Sequence, residues 1–263
     1  MTGLAHSSMP TQVGLLAGRA VKRILRQPAQ LVFPVLFPLI LLGVNASGLA
    51  AATSVPGFPA ASYLDFALAI PFMQGALFAA LNGGQDLARD IQGGFLDRLA
   101  MTPMSGAALL TGQLGGALFM GVISAVLYLV VGIAFGAGIA SGVGGALVLL
   151  ALAIVISSAF ACFGTFVALR AGTGEAVQGF FPLFFVLLFL SSAFYPRDLI
   201  EQDWFATVAT YNPVSYMVEG IRSLVITGWD GQALAQAFGI SAIAIVGFLA
   251  LSARALRTRL VRT

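Results

Sequence analysis

Long apolar segments that carry almost no charge limit the folds open to this chain. A helix needs about 20 apolar residues to cross the roughly 30 Å hydrocarbon core of a bilayer. Segments of that order occupy residues 31–52, 63–82, 107–137, 145–169, 177–195 and 235–253. Only 9% of the residues are charged, whereas a soluble domain carries about a quarter. The sequence therefore predicts an all-α polytopic membrane protein with six transmembrane helices and excludes a soluble globular domain.

The placement of arginine and lysine predicts the orientation. Eleven of these residues fall on the side of the membrane that holds both termini, and only Arg197 and Arg222 fall on the other side. Cytoplasmic connections carry the excess of positive charge, so we expect both termini to be cytoplasmic. The preference for arginine over lysine, with abundant alanine and glycine, indicates a high-GC bacterial genome, so we expect a bacterial cell membrane. We treat residues 1–263 as one transmembrane domain.

Residues 10–27 have the pattern of an amphipathic helix. Apolar residues recur at helical spacing, and a basic stripe is formed by Arg19, Lys22, Arg23 and Arg26. Such a helix lies flat in the headgroup layer, with membrane lipids as its partner. The alternative is that these are only the flanking charges expected of a cytoplasmic terminus.

The connection 85–105 combines charged and apolar residues on a predicted cytoplasmic loop. The pattern indicates a short amphipathic helix, interrupted at Gly93-Gly94 and ending near Pro103. One charged face and one apolar face suit docking to a soluble partner. A solvated connector fits the same pattern.

The segment 196–231 is too apolar for a free loop and too interrupted for a full span. The Asn212-Pro213 pair divides it, because proline does not continue a helix that precedes it. We predict two short re-entrant helices on the outer side, between the fifth and sixth spans. Glu219 and Arg222 are three residues apart on the second of them and are predicted to pair.

Residue usage excludes several kinds of chemistry. The chain has one histidine, His6, one cysteine, Cys162, and one lysine, Lys22, which does not lie in a phosphate-binding glycine-rich motif. We therefore expect no catalytic residues, no metal site, no cofactor bound by this chain and no nucleic-acid partner. No ionisable residue lies well inside a predicted span, which argues against an ion-coupled carrier. This argument does not exclude a sodium site built from carbonyl and hydroxyl oxygens.

Aromatic and sparse polar side chains in the spans form a candidate path for a lipophilic substrate. The candidates are Phe72, Gln74, Phe78, Gln178, Phe181 and Phe185. The alternative for each phenylalanine is contact with lipid or ordinary helix packing.

Three segments carry a resemblance to a known family. Residues 88–99 read ARDIQGGFLDRL, residues 102–105 read TPMS, and the outer segment reads YNPVSY at 211–216 and EGIR at 219–222. In this order and spacing they resemble the membrane subunit of type-2 ABC exporters, particularly the bacterial daunorubicin-resistance type of multidrug permease. The resemblance covers nearly the whole chain.

The resemblance implies functional roles for both sides of the membrane. A coupling helix seated in a separate ATP-binding subunit would include Arg89, Asp90, Phe95, Asp97, Arg98 and Pro103. An outer gate would include Asn212, Pro213, Tyr216, Glu219 and Arg222. ATP and magnesium would bind the partner subunit, and a second copy of this permease or a homologous one would complete the exporter.

The resemblance thus implies an ATP-driven exporter of lipophilic drugs or other amphiphilic compounds. Permeases for lipids or polysaccharides share the fold and stay open. An ion-coupled secondary carrier and a membrane assembly factor without transport activity are alternatives from other classes.

Overall fold

The computed structural model describes residues 8–27, 29–95, 98 and 106–260, and every regular element in those residues is helical. The α-helices are α1 Met9–Arg26, α2 Ala29–Gly48, α3 Tyr63–Ala67, α4 Ala69–Gln92, α5 Gly106–Ala134, α6 Gly142–Ala171, α7 Gly174–Gly179, α8 Phe181–Phe189, α9 Asp203–Tyr211, α10 Pro213–Ile226 and α11 Gly231–Leu260. Short 3₁₀ helices span Ala50–Ser54 and Arg197–Leu199. The predicted all-α class is confirmed for the described residues.

Within those residues, five segments are long and apolar enough to cross a membrane. They are Leu31–Gly48, Tyr63–Gln92, Gly106–Ala134, Gly142–Ala171 and Gly231–Arg259. This confirms a polytopic membrane protein.

The predicted span over 177–195 differs from the structure, which holds the shorter apolar segment Gly174–Phe189 there. This segment breaks at Phe180, between α7 and α8, and Pro182 lies in the first turn of α8. Proline removes a helical hydrogen-bond donor and favours a first turn. The structure therefore holds two short helices over this range, and the predicted total of six spans is not confirmed.

Helix α4 forms the centre of the bundle, and most of its residues are buried. It packs against α5 and α6 and is also contacted by α2. Close approach to α6 depends on Gly164, where a Cβ atom would collide with the carbonyl oxygen of Ala80. The second predicted span therefore lies inside this chain rather than on its lipid-facing surface.

Helix α4 also extends ten residues beyond the end predicted for the second span, so the first part of the predicted connection 85–105 is helical. Leu87, Ala88 and Ile91 stay buried along this extension. Its acidic residues Asp86 and Asp90 pair with arginines of α1. Because its apolar side chains are buried and its acidic side chains are paired, the helix continues to Gln92.

Helix α1 confirms the helix predicted over 10–27, and one of its faces packs on α5. The contact is close because α5 presents glycines: a Cβ atom at Gly112 would lie 2.6 Å from the Cβ atom of Leu16. A Cβ atom at Gly115 would collide with Ala17. Small residues allow helices to approach in this way. Part of the predicted interfacial helix therefore covers protein rather than lipid.

The two ends of the bundle differ in character. The end formed by α1, the C-terminal parts of α4 and α6, and the last turns of α11 is called the basic end here. The far end holds α3, α9 and α10. There the hydroxyl of Ser141, the residue before α6, donates to Leu224 O of α10. The predicted break in the segment 196–231 is confirmed, because α9 ends at Tyr211 and α10 begins at Pro213.

Candidate functional site

The carboxylate of Asp90 is the centre of an ion-pair network at the basic end. Asp90 is only 6% exposed. Arg19 binds it in bidentate fashion, with Nη1–Oδ2 and Nη2–Oδ1 distances of 2.8 and 2.9 Å. Arg23 adds a bond from Nη2 to Oδ1 at 3.0 Å. Charge-assisted bonds of this kind are stronger than neutral ones, so they fix α1 against the end of α4.

Neighbouring side chains extend this network. Arg23 Nη1 and Arg89 Nη1 lie 3.2 and 3.1 Å from Asp86 Oδ1, and Gln113 of α5 donates to Asp90 Oδ2 at 3.4 Å. We call Arg19, Arg23, Asp86, Arg89 and Asp90 the Asp90 cluster. Burial of Arg23 opposes its charge, but Asp86 and Asp90 outweigh this effect and raise the pKa of Arg23. The cluster thus joins α1 to α4, and Gln113 adds a contact from α5.

The cluster continues into the connection that follows α4. The backbone turns at Gly94, whose φ of +64° favours glycine, and this confirms the predicted interruption. The guanidinium of Arg19 lies 3.8 Å from the ring centroid of Phe95, a cation–π contact. Arg98 Nη2 donates to Gly93 O at 3.3 Å. The connection that follows α4 therefore contacts α1 directly.

Four of the six residues predicted to couple to a partner lie at or beside the Asp90 cluster: Arg89, Asp90, Phe95 and Arg98. The other two, Asp97 and Pro103, lie outside the described residues. The arginines that hold Asp90 were predicted to face lipid. Lys22 and Arg26, from the same basic stripe, are exposed.

A cleft of about 400 Å³ opens beside the cluster. It is lined by Phe33, Pro34, Phe78, Leu81, Asn82, Gln85, Asp86, Arg89, Gln178 and Phe181. Three of the predicted path residues, Phe78, Gln178 and Phe181, are in this set. Half of these residues are apolar and half are polar or charged. The volume falls in the usual range of sites for small organic molecules, about 300–1,000 Å³.

The other predicted path residues lie elsewhere. Phe72 and Gln74 are 3% and 1% exposed and are packed inside the chain. The Phe72 ring contacts the ring of Tyr128 edge-on, with centroids 5.8 Å apart. Phe185 stands next to Phe181, with centroids 4.7 Å apart. Phe185 is therefore adjacent to the cleft, whereas the structure does not bring Phe72 or Gln74 to it.

At the far end, Arg222 is buried and binds three backbone carbonyl groups. Its Nη1 and Nη2 atoms donate to Ser192 O at 3.0 Å and Ala193 O at 2.9 Å, and Nε donates to Phe66 O at 3.3 Å. The guanidinium also lies 3.7 Å from the ring centroid of Phe66. Burial lowers the pKa of Arg222. This one side chain joins α3, α10 and the chain that follows α8.

Two other predicted gate residues form hydrogen bonds beside it. Asn212 Oδ1 accepts from the backbone N–H of Val214 at 2.9 Å and thereby caps α10. The Asn212 Nδ2 atom donates to Leu187 O at 2.7 Å. The hydroxyl of Tyr216 donates to Thr210 O at 2.8 Å. Asn212 therefore links α10 to α8, and Tyr216 links it to α9.

The predicted pair between Glu219 and Arg222 was wrong. Glu219 Oε1 instead lies 2.6 Å from Nε of Arg197, which also stacks over the ring of Tyr216 at 4.6 Å. Arg222 is directed instead to backbone carbonyls of α3 and of the chain that follows α8. Pro213 occupies the first turn of α10. The five predicted gate residues thus lie together, at the start of α10 and along it, in the region that we call the cap.

The family model described as ABC-2 type transporter matches residues 11–226. The chain belongs to the ABC-2 type transporter family. A comparison with curated proteins finds no match. ABC-2 membrane domains are permease subunits of ABC transporters and normally work with an ATP-binding subunit. The match contains both the Asp90 cluster and the residues that surround Arg222.

Some features of this ABC-2 domain escaped prediction although the sequence contains a signal for them. Arg19 and Arg23 are four residues apart on α1, as are Asp86 and Asp90 on α4. Matching spacings of opposite charge allow two helix faces to pair. No sequence pattern marks Asn82 and Gln85 as cleft residues. They line the cleft only because α2 and α8 pack around α4.

Proposed function

We propose that this ABC-2 permease subunit exports lipophilic or amphiphilic compounds, including drugs, using ATP hydrolysis in a separate ATP-binding subunit. The observation that carries the proposal is the cleft beside the Asp90 cluster. Arg89 belongs to both, so the walls that suit an amphiphilic compound and the residues proposed to receive the ATP-driven motion share one element.

The proposed working unit contains two permease subunits and two ATP-binding subunits in a bacterial cell membrane. Both termini and the basic end face the cytoplasm, in agreement with the excess of arginine there. The α7–α8 segment provides the fifth of six spans. ATP binding would draw the ATP-binding subunits together, and the connection after α4 would transfer that motion through Phe95 and Arg19 to α1.

Substrate would leave past the cap at the far end. Arg222 holds the chain that follows α8 against α10, and Asn212 links α8 itself to α10. A rotation of α8 would therefore move the whole cap. Asn212, Pro213, Tyr216, Glu219 and Arg222 are proposed to act together as this outer gate.

Reconstitution tests the proposal. The permease is purified with the ATP-binding subunit that copurifies with it and is placed in vesicles loaded with a fluorescent lipophilic cation. We expect dye movement that requires ATP and both subunits, and no ATP hydrolysis by this chain alone. The matched control is the same complex with adenosine diphosphate.

Three results would contradict the proposal. Hydrolysis by the chain alone would place the energy source in this subunit. Movement driven by an imposed ion gradient without ATP would identify a secondary carrier. ATP-driven movement of labelled lipid or glycan, but not of any lipophilic dye, would assign the permease to lipid or polysaccharide export.

Charge reversal in the connection after α4 is expected to uncouple the two activities. In Arg98→Glu and Asp97→Lys, dye moved per ATP hydrolysed should fall at least about tenfold, because like charges opposed at an interface cost several kcal/mol. Arg257→Glu, an exposed arginine on α11, is the control and should keep the wild-type ratio. Wild-type coupling in both variants would remove this connection from the mechanism.

A further inference from the structure

A second groove, of about 670 Å³, lies between α6 and α11 at the basic end. The residues that line it and carry the argument are Phe166, Arg170, Leu251, Arg254, Thr258 and Arg259. Among the described residues, no acidic side chain lines the groove. Three arginines and a hydroxyl group therefore meet where the two helices end, apart from the Asp90 cluster and from the cleft beside it.

The arginines of the groove differ in their hydrogen bonding. Arg259 Nη1 donates to Leu169 O at 3.0 Å, and a Cβ atom at Gly172 would lie 2.8 Å from Arg259 Nη2. Glycine at this position leaves room for the guanidinium, which is held at the mouth of the groove. In the part of the chain that the structure describes, no bond is formed by the guanidinium groups of Arg170 and Arg254. Both residues are exposed.

Apolar side chains of α6 and α11 adjoin the charged part of the groove. Phe166 of α6 stands beside Phe248 of α11, with ring centroids 6.3 Å apart. Leu251 of α11 also lines the groove and is exposed. A ligand that fits this arrangement has a compact anionic head and a long apolar tail.

We propose that this groove binds an anionic phospholipid. The phosphate lies among Arg170, Arg254 and Arg259, and an acyl chain extends along α11 past Leu251. Basic pockets between transmembrane helices near the membrane surface bind anionic headgroups, and arginine presents forked donors that match a phosphate. The basic stripe of α1 was the predicted lipid contact, but two of its arginines are occupied by Asp90. The guanidinium groups of Arg170 and Arg254 are exposed and bind no other group among the described residues.

Native mass spectrometry of the full-length protein in detergent tests this site. The probes are dioleoyl phosphatidylglycerol and dioleoyl phosphatidylcholine, which have the same acyl chains. We expect the wild-type protein to bind the first at least tenfold more tightly. In the double variant Arg170→Gln/Arg254→Gln, affinity for phosphatidylglycerol should fall roughly 25-fold, because each headgroup-facing arginine contributes about fivefold. Affinity for phosphatidylcholine should not change.

The control removes the same charge from elsewhere at the basic end. Lys22 and Arg257 are exposed and do not line the groove, so Lys22→Gln/Arg257→Gln should keep phosphatidylglycerol affinity within about twofold. Both double variants should unfold at the wild-type temperature, because the replaced side chains are exposed. Arg170→Lys/Arg254→Lys retains the charges and should bind more tightly than the glutamine variant.

Several outcomes would overturn the proposal. An equal loss in the control variant would mean that net charge alone governs binding. Equal affinity for both lipids would mean that the headgroup is not recognised. Complete competition by millimolar inorganic phosphate would identify a site for a free anion. If the groove variant binds lipid normally but no longer copurifies with the ATP-binding subunit, the groove is a protein-docking surface.

Discussion

Replacement of Arg222 by methionine is expected to lower the unfolding temperature of the detergent-solubilised protein by about 10 °C. Methionine fills similar apolar space but leaves the carbonyl oxygens of Phe66, Ser192 and Ala193 without their donors. Each buried group left unsatisfied costs about 1–3 kcal/mol, so we expect a loss of about 4 kcal/mol. Thermal unfolding monitored by intrinsic fluorescence measures the change.

A graded series separates this structural role from a direct role in gating. Arg222→Lys retains the charge but not the fork that reaches three oxygens, so its unfolding temperature should fall between those of wild type and Arg222→Met. Glu219→Gln breaks only the partly exposed pair with Arg197 and should cost less than about 1 kcal/mol. Wild-type stability in Arg222→Met combined with lost efflux would contradict the structural role and leave Arg222 as a gate residue alone.

The long helices were predictable because their signals are local. An apolar run of sufficient length indicates a span regardless of its neighbours, and Asn212-Pro213 ends one helix and begins the next without tertiary help. Pro182 was an equally local signal for a break in the predicted fifth span. It was missed because the apolar run continues on both sides of it.

The ends of helices were less predictable because partners distant in sequence determine them. Asp86 and Asp90 looked like the charges of a loop, and only the arginines of α1 make it favourable to continue α4 through them. The face of α1 that covers α5 depends on Gly112 and Gly115, whose spacing also arises by chance in a glycine-rich chain.

The partners of Arg222 were the least predictable part of the candidate site. They are backbone carbonyl oxygens, and no residue type marks a carbonyl as free. Glu219, three residues away, offered a simpler partner by spacing alone. The surrounding apolar residues Val218, Ile221 and Leu224, all fully buried, were the available sign that Arg222 faces the interior rather than solvent.

The Asp90 cluster makes the second strong prediction. Asp90→Asn keeps the shape of the side chain but removes the charge that binds Arg19 and Arg23. We expect a loss of about 2 kcal/mol. This is less than the roughly 3–5 kcal/mol for breaking a fully buried pair, because Arg19 is 39% exposed and Arg23 retains Asp86. Hydrogen exchange should be faster in α1, with little change in α11.

A double-mutant cycle decides whether the contact itself is responsible. Arg19→Gln and Asp90→Asn, alone and combined, should give a coupling energy of about 1–2 kcal/mol. Lys22→Gln combined with Asp90→Asn is the matched cycle. Lys22 is exposed on the same helix, so its coupling should be close to zero. Additive losses in the Arg19 cycle would mean that the Arg19–Asp90 contact does not anchor α1, which would then depend on Arg23 and on packing against Gly112 and Gly115.

The same variant separates anchoring from energy transfer. In the reconstituted complex, Asp90→Asn should continue to hydrolyse ATP, because the ATP-binding sites are proposed to lie on the partner subunit. Efflux per ATP should fall at least about tenfold, since the expected loss of about 2 kcal/mol exceeds the roughly 1.4 kcal/mol that changes an equilibrium by that factor and α1 would then move independently of α4. Glu175→Gln removes an exposed acidic charge from α7 and should retain normal efflux. Normal efflux in Asp90→Asn, with α1 already loosened, would show that transport does not require α1 to move with α4.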